Sequence, residues 1–91
     1  MLKNFVVAIS GGAGKIGYSL AKSVIKNNGK VILGDANILL GKKLSKKLGK
    51  NCLFFHGDLT SKKNIDNFIY QGKKRFKKID AAIHCAYPRS K

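Results

Sequence analysis

Two kinds of apolar pattern alternate along this chain. The runs "NFVVAIS" (4–10), "KVILGD" (30–35), "NCLFF" (51–55) and "IDAAIHCA" (79–86) are short and apolar nearly throughout. They predict strands. Between them, apolar residues recur three or four apart, the period of an amphipathic helix. Over 14–27, Ile16, Leu20 and Val24 recur with Ala21 and Ile25 alongside, and "NNG" ends the helix with Gly29 as the expected left-handed cap. Over 38–48 the apolar face is Leu40, Leu44 and Leu48, with Asn37 as N-cap and Gly49 as the stop. Over 62–75 a cap at Thr60 or Ser61 starts a helix that turns Ile65, Phe68, Ile69 and Phe76 inward.

The order is βαβαβαβ. Strands without polar alternation, separated by amphipathic helices, imply a parallel sheet covered on both faces and joined by right-handed crossovers. No linker, repeat or low-complexity segment divides the chain, so residues 1–91 read as a single domain.

Candidate chemistry lies at the first strand-to-helix corner. "GAGKIG", Gly12 to Gly17, fits G-x-G-x-x-G, and it follows a strand and opens a helix inside a βαβ unit. One glycine serves the tight turn. Another lets backbone approach a pyrophosphate. Gly17 lets the helix pack close to the sheet. Free amides at the helix start, with the helix dipole, suit a diphosphate. Ile16 after Lys15 excludes a Walker P-loop, which needs Ser or Thr there. Asp35 ends the second strand, 18 residues after Gly17. A carboxylate there accepts from the adenosine ribose hydroxyls and repels a 2′-phosphate, favouring NAD over NADP, with Lys15 as a partial offset. Asp58 in "GDLT" ends the third strand, within reach of an adenine amino group. For both aspartates the alternative role is a turn or helix-capping residue.

These residues resemble the short-chain dehydrogenases/reductases along the whole chain. "ISGGAGKIG" is similar to that family's T-G-x-x-G-x-x-G or T-G-x-x-x-G-x-G loop, with Ser10 for threonine. "GDLT" resembles its D-V/L-T segment, and "IDAAIHCAYP" its fourth-strand segment ending N-N-A-G. The resemblance implies a partial Rossmann domain, a four-stranded sheet of order 3-2-1-4 with two helices on one face and the third on the other. It implies that Gly11, Gly14, Ile16 and Gly17 hold a pyrophosphate, Asp35 the adenosine ribose, Asp58 and Leu59 the adenine, and that Ala86 passes beside a ribose. The chain departs from the family at Lys15, a glycine in many members. His84 and Cys85 stand for the paired asparagines, and Tyr87 for a glycine. "CAYPR" resembles a subset of the family associated with bacterial surface-sugar and flagellin-glycan synthesis.

The family's catalytic serine and Tyr-x-x-x-Lys pair lie beyond the fourth strand. Here Tyr18, Tyr70 and Tyr87 each have a lysine four residues on, Lys22, Lys74 and Lys91; the first two pairs fall on the first and third helices, and the last directly follows the fourth strand. The expectation is the dinucleotide-binding part of an oxidoreductase acting on a hydroxyl or carbonyl, inactive alone and without catalytic residues of its own. Order 3-2-1-4 leaves the fourth strand, with Ala82, Ile83 and Cys85, as an open apolar edge. The monomer is then expected to be marginal unless a second copy or a C-terminal half completes it.

Composition narrows the picture further. No apolar run is long enough to span a membrane, and "MLKNFVVAIS" lacks the features of a signal peptide, so a cytoplasmic location is expected. The two cysteines, Cys52 and Cys85, and the two histidines, His56 and His84, lack metal-ligand spacing. The cysteines fall on opposite sheet edges, ~14 Å apart, too far for a disulfide. Nineteen basic residues against four acidic give a net charge of +15. That favours weak, non-specific phosphate affinity. Specific nucleic-acid recognition is disfavoured, because no helix-turn-helix, zinc finger or RNP-type stripe is present. The alternative reading is a basic, non-enzymatic module for nucleic acid or another polyanion. A gene fragment without function of its own is equally compatible with the sequence.

Overall fold

The computed structural model describes residues 4–11 and 14–85. The chain runs β1 (Val6–Ser10), α1 (Lys15–Lys26), β2 (Lys30–Asp35), α2 (Ile38–Leu48), β3 (Cys52–His56), α3 (Lys62–Phe76) and β4 (Ala81–His84). All three strand pairings are parallel, in the order β3-β2-β1-β4, as the sequence predicts. β1 and β2 lie inside the sheet, and their residues Val7, Ala8, Ile9, Val31, Ile32 and Leu33 are almost fully buried. Central strands buried on both faces explain why these runs show no polar alternation.

Strand pleating divides the core in two. Val7, Ile9, Val31, Leu33 and Cys52 point to α1 and α2, meeting Ala21, Val24 and Leu44. Ala8 and Ile32 point the other way, to Phe68 of α3, with Leu53, Phe55, Leu59 and Ile69 around them. Gly41 of α2 is buried, and a Cβ there would stand 2.0 Å from the Phe54 ring, so α2 seats directly on that aromatic.

Local chemistry sets the helix ends. Asn37 accepts from the Leu40 amide and Ser61, rather than Thr60, from that of Asn64. Gly49, at φ 88°, stops α2.

Four expectations are corrected. The left-handed residue after α1 is Asn28 (φ 71°), not Gly29. Asparagine tolerates that region, while Gly29 is buried where a Cβ would stand 2.6 Å from Val24 Cγ1. The buried stripe of α1 is Gly17, Ala21 and Val24, and Ile16 is 58% exposed. Ile65 is exposed too, because the sheet beyond it is uncovered. Cys85 packs against the α1/α2 core instead of sharing the open edge with Ala82 and Ile83.

No described helix is long and apolar enough to cross a membrane. Both cysteines are free thiols, and burial pushes that of Cys52 up to about 12. Among the described residues no cluster of three metal-ligating side chains forms.

Candidate functional site

In a parallel sheet all strands end on one side, and here that side gathers the singled-out residues. β1 runs into Gly11, whose φ of 73° is a left-handed turn that favours glycine. Its amide donates to Gly34 O at 2.8 Å, which ties the turn to the end of β2. Gly14 is the N-cap of α1, and Lys15, Ile16 and Gly17 make the helix's first turn. Gly12 and Ala86 lie outside the described residues.

Gly14 is informative because the fold itself does not require it. Its φ of −75° suits any residue. A Cβ there would meet only Gly11 O, at an ordinary 3.5 Å. Side chains at this position are excluded by nothing within the described protein. The absence of a Cβ leaves room for another molecule to approach the backbone.

The helix start carries a second sign. The N-caps of α2 and α3 supply a side-chain oxygen, whereas Gly14 supplies none. No acidic residue occupies the first turn of α1. Its leading amides, which have no acceptor within the helix, therefore meet no N-cap side chain, and the positive end of the dipole faces the cleft.

Asp35 is half-buried at the end of β2, where Oδ1 accepts from the Asn37 amide at 2.9 Å. It thus braces the turn that lets Asn37 cap α2, while standing one strand away from the glycine corner. Asp58 is more strongly engaged. Its Oδ1 accepts from Thr60 Oγ1 at 2.7 Å and the Thr60 amide at 3.0 Å, and these bonds hold its carboxyl below the usual range. The turn-forming role weighed for Asp58 is therefore realised. Leu59 points inward: a Cβ on Gly34 would lie 2.6 Å from its Cδ1.

One contact escaped the sequence. Ser10 Oγ and His84 Nδ1 are 2.5 Å apart, joining the ends of β1 and β4. The two are register partners in the parallel ladder. The signal lay in two departures already visible, Ser10 for threonine and His84 for asparagine, but only strand adjacency pairs them. They rim an apolar hollow of about 440 Å³ lined by Ala8, Leu59, Ile65, Phe68, Ala82 and Ile83. Tyr70 and Lys74 lie exposed on α3 and take no part in that rim.

A doubly wound sheet binds ligands where the strand order reverses, and in 3-2-1-4 that point is the gap between β1 and β4. The sequence profile described as short chain dehydrogenase matches residues 5–87. The chain belongs to the short-chain dehydrogenase family. Rat 3-hydroxyacyl-CoA dehydrogenase type-2 is 35% identical over 85 residues, covering 93% of this chain and 33% of the relative. The post-translational flagellin modification protein A of Campylobacter coli is 33% identical over 95 residues, covering 100% and 37%. The chain thus spans about a third of the length of these relatives. In fold it is similar to a Brucella melitensis 3-ketoacyl-(acyl-carrier-protein) reductase crystallised with NADH. The TM-score is 0.87 at 22% identity, covering 90% of this chain and 34% of that one.

Proposed function

We propose that this chain is the dinucleotide-binding part of an oxidoreductase and that its ligand is NAD in preference to NADP. The observation that carries this reading is Gly14, a glycine that neither its dihedrals nor its neighbours demand, at the start of a helix without a side-chain cap. Gly11, Gly12, Gly14, Ile16 and Gly17 would hold the pyrophosphate, with Lys15 adding positive charge. Asp35 would accept from the adenosine ribose. Asp58, through its turn, and the Leu59 backbone would border the adenine, with Ala86 beside a ribose.

Bound there, a nicotinamide dinucleotide supplies the hydride acceptor or donor. This chain's own residues orient it. The uncapped amides neutralise its diphosphate, and the Asp35 carboxylate penalises a 2′-phosphate. The described cleft contains Ser10 and His84 but no tyrosine–lysine pair, so the reading is binding without turnover by these residues alone. The substrate class is a hydroxyl or carbonyl compound. The flagellin-modification relative is the reason to test sugar-linked ones first.

Titration calorimetry with NAD and NADP tests the reading. NAD should bind more tightly than NADP, Asp35→Ala should narrow that difference, and Gly14→Val should abolish binding with an unchanged circular dichroism spectrum. A folded sample that binds neither nucleotide, or a Gly14→Val variant that binds as well as the parent, would overturn it.

A further inference from the structure

The charge of +15 is not spread evenly over this molecule. Each helix runs back along the sheet, so the helix C-termini gather where the strands begin, at the pole opposite the glycine corner. The last helical turns carry Lys26, then Lys46 and Lys47, then Lys73, Lys74 and Arg75. The adjoining loop and strand-start positions add Lys30, Lys50, Lys77 and Lys78. Against these ten cations stands one acid, Asp80, already paired with Lys78 at 3.0 Å. The glycine-corner pole is balanced: Lys15, Lys62 and Lys63 face Asp35, Asp58 and Asp66.

Helix dipoles do not account for the excess. Each helix C-terminus carries about half a negative charge, so three ends offset only a small part of it. A lysine-rich composition by itself would load both poles alike. Clustering like charges also works against folding, so stability does not explain it either.

Two contacts turn the cluster into a surface. Arg75 Nη2 donates to Lys50 O at 2.8 Å, which ties the end of α3 to the α2–β3 loop that carries Lys50. Tyr70 is 59% exposed and lies three and four residues before Lys73 and Lys74, hence on the same helix face. A cationic track beside an exposed aromatic is the arrangement that holds single-stranded nucleic acid, phosphates on the cations and a base on the ring.

We propose that this pole binds single-stranded nucleic acid without reading its sequence, through Lys50, Lys73 and Lys74 with Tyr70 as a stacking platform. The surface lies away from the dinucleotide cradle and does not rest on that reading.

Fluorescence anisotropy of the intact 91-residue chain with fluorescein-labelled oligothymidylate tests it. Affinity should fall steeply with salt. The combined Lys50→Glu, Lys73→Glu and Lys74→Glu variant should weaken binding at least about tenfold. The control Lys22→Glu, Lys62→Glu and Lys63→Glu, with the same net charge, should change it far less. Tyr70→Ala should weaken oligothymidylate binding about fivefold or more and leave inorganic polyphosphate binding unaltered. Saturating NAD should not displace the oligonucleotide. Equal weakening by the two triple variants, displacement by NAD, indifference to Tyr70→Ala, or binding to anionic vesicles but not to oligothymidylate would each overturn the proposal. Tyr70 is exposed and leaves the core untouched, so its variant remains decisive if charge reversal impairs folding.

Discussion

The two faces of the sheet are finished to different degrees. On one, α1 and α2 bury Val7, Ile9, Val31, Leu33 and Cys52, and Gly41 drops α2 onto Phe54. On the other, α3 alone covers Ala8 and Ile32, and the hollow beside it exposes Ile65. The α1/α2 face is also the more apolar in sequence, because the other face carries Ser10, Lys30, Gly34 and His84. A parallel sheet requires cover on both sides, and here the two faces differ both in composition and in cover. That difference concentrates the protein's packing energy on the α1/α2 side and leaves β4 with β1 as its only strand neighbour in the described sheet.

Truncating the core on each side should give the largest contrast. Ile9→Ala, at a position with 0% exposure, should cost about 2–5 kcal/mol. In a domain this small that is a large share of total stability. Ile65→Ala, 40% exposed on α3 beside the hollow, should cost under about 1 kcal/mol. Urea unfolding followed by circular dichroism reads both, and equal losses would mean that the second face is closed in solution.

A smaller effect separates the glycines. Gly41→Val must displace the Phe54 ring, whose atoms lie 2.0 and 2.1 Å from a Cβ, at a cost of about 1–3 kcal/mol. Gly34→Val presses on Leu59 Cδ1 at 2.6 Å and Phe68 at 2.7 Å, both lining the hollow. Those side chains have space to move into, so the loss should be smaller. The reverse order of urea midpoints would contradict the comparison.

The weakest probe is alkaline titration. Burial raises the Cys52 thiol from 9.0 to about 12, while the half-buried Cys85 thiol is also raised, again by burial. A folded state that keeps its thiol protonated loses stability once the unfolded chain ionises. Stability should therefore fall as pH rises from about 9 towards about 12, and Cys52→Val should flatten that limb relative to the parent. At neutral pH a thiol reagent should label Cys85 first and Cys52 only on unfolding. Simultaneous labelling would show that the α1/α2 face opens as easily as the other.

Much of this was legible in the residues. The period change between strands and helices, the caps at Asn37 and Ser61 and the stop at Gly49 are short-range effects, and the structure realises them. The glycine corner and Asp35 were legible because their spacing sits inside one βαβ unit. The Asn28 turn was missed because a left-handed asparagine and a tightly packed glycine look alike in "NNG". Ile16 and Ile65 were misplaced because periodicity says which face of a helix is apolar, not whether anything covers it.

The sequence by itself determined the element order, the parallel sheet and the place of the candidate cradle, since each follows from contacts between residues near in the chain or from a short motif. Only the tertiary structure decided that Ser10 meets His84 across 74 positions, that one face stays open, and that the lysines of three helix ends collect at one pole. Those outcomes depend on which strands become neighbours and on how three crossovers stack their helices. Such long-range contacts leave no local period in the chain.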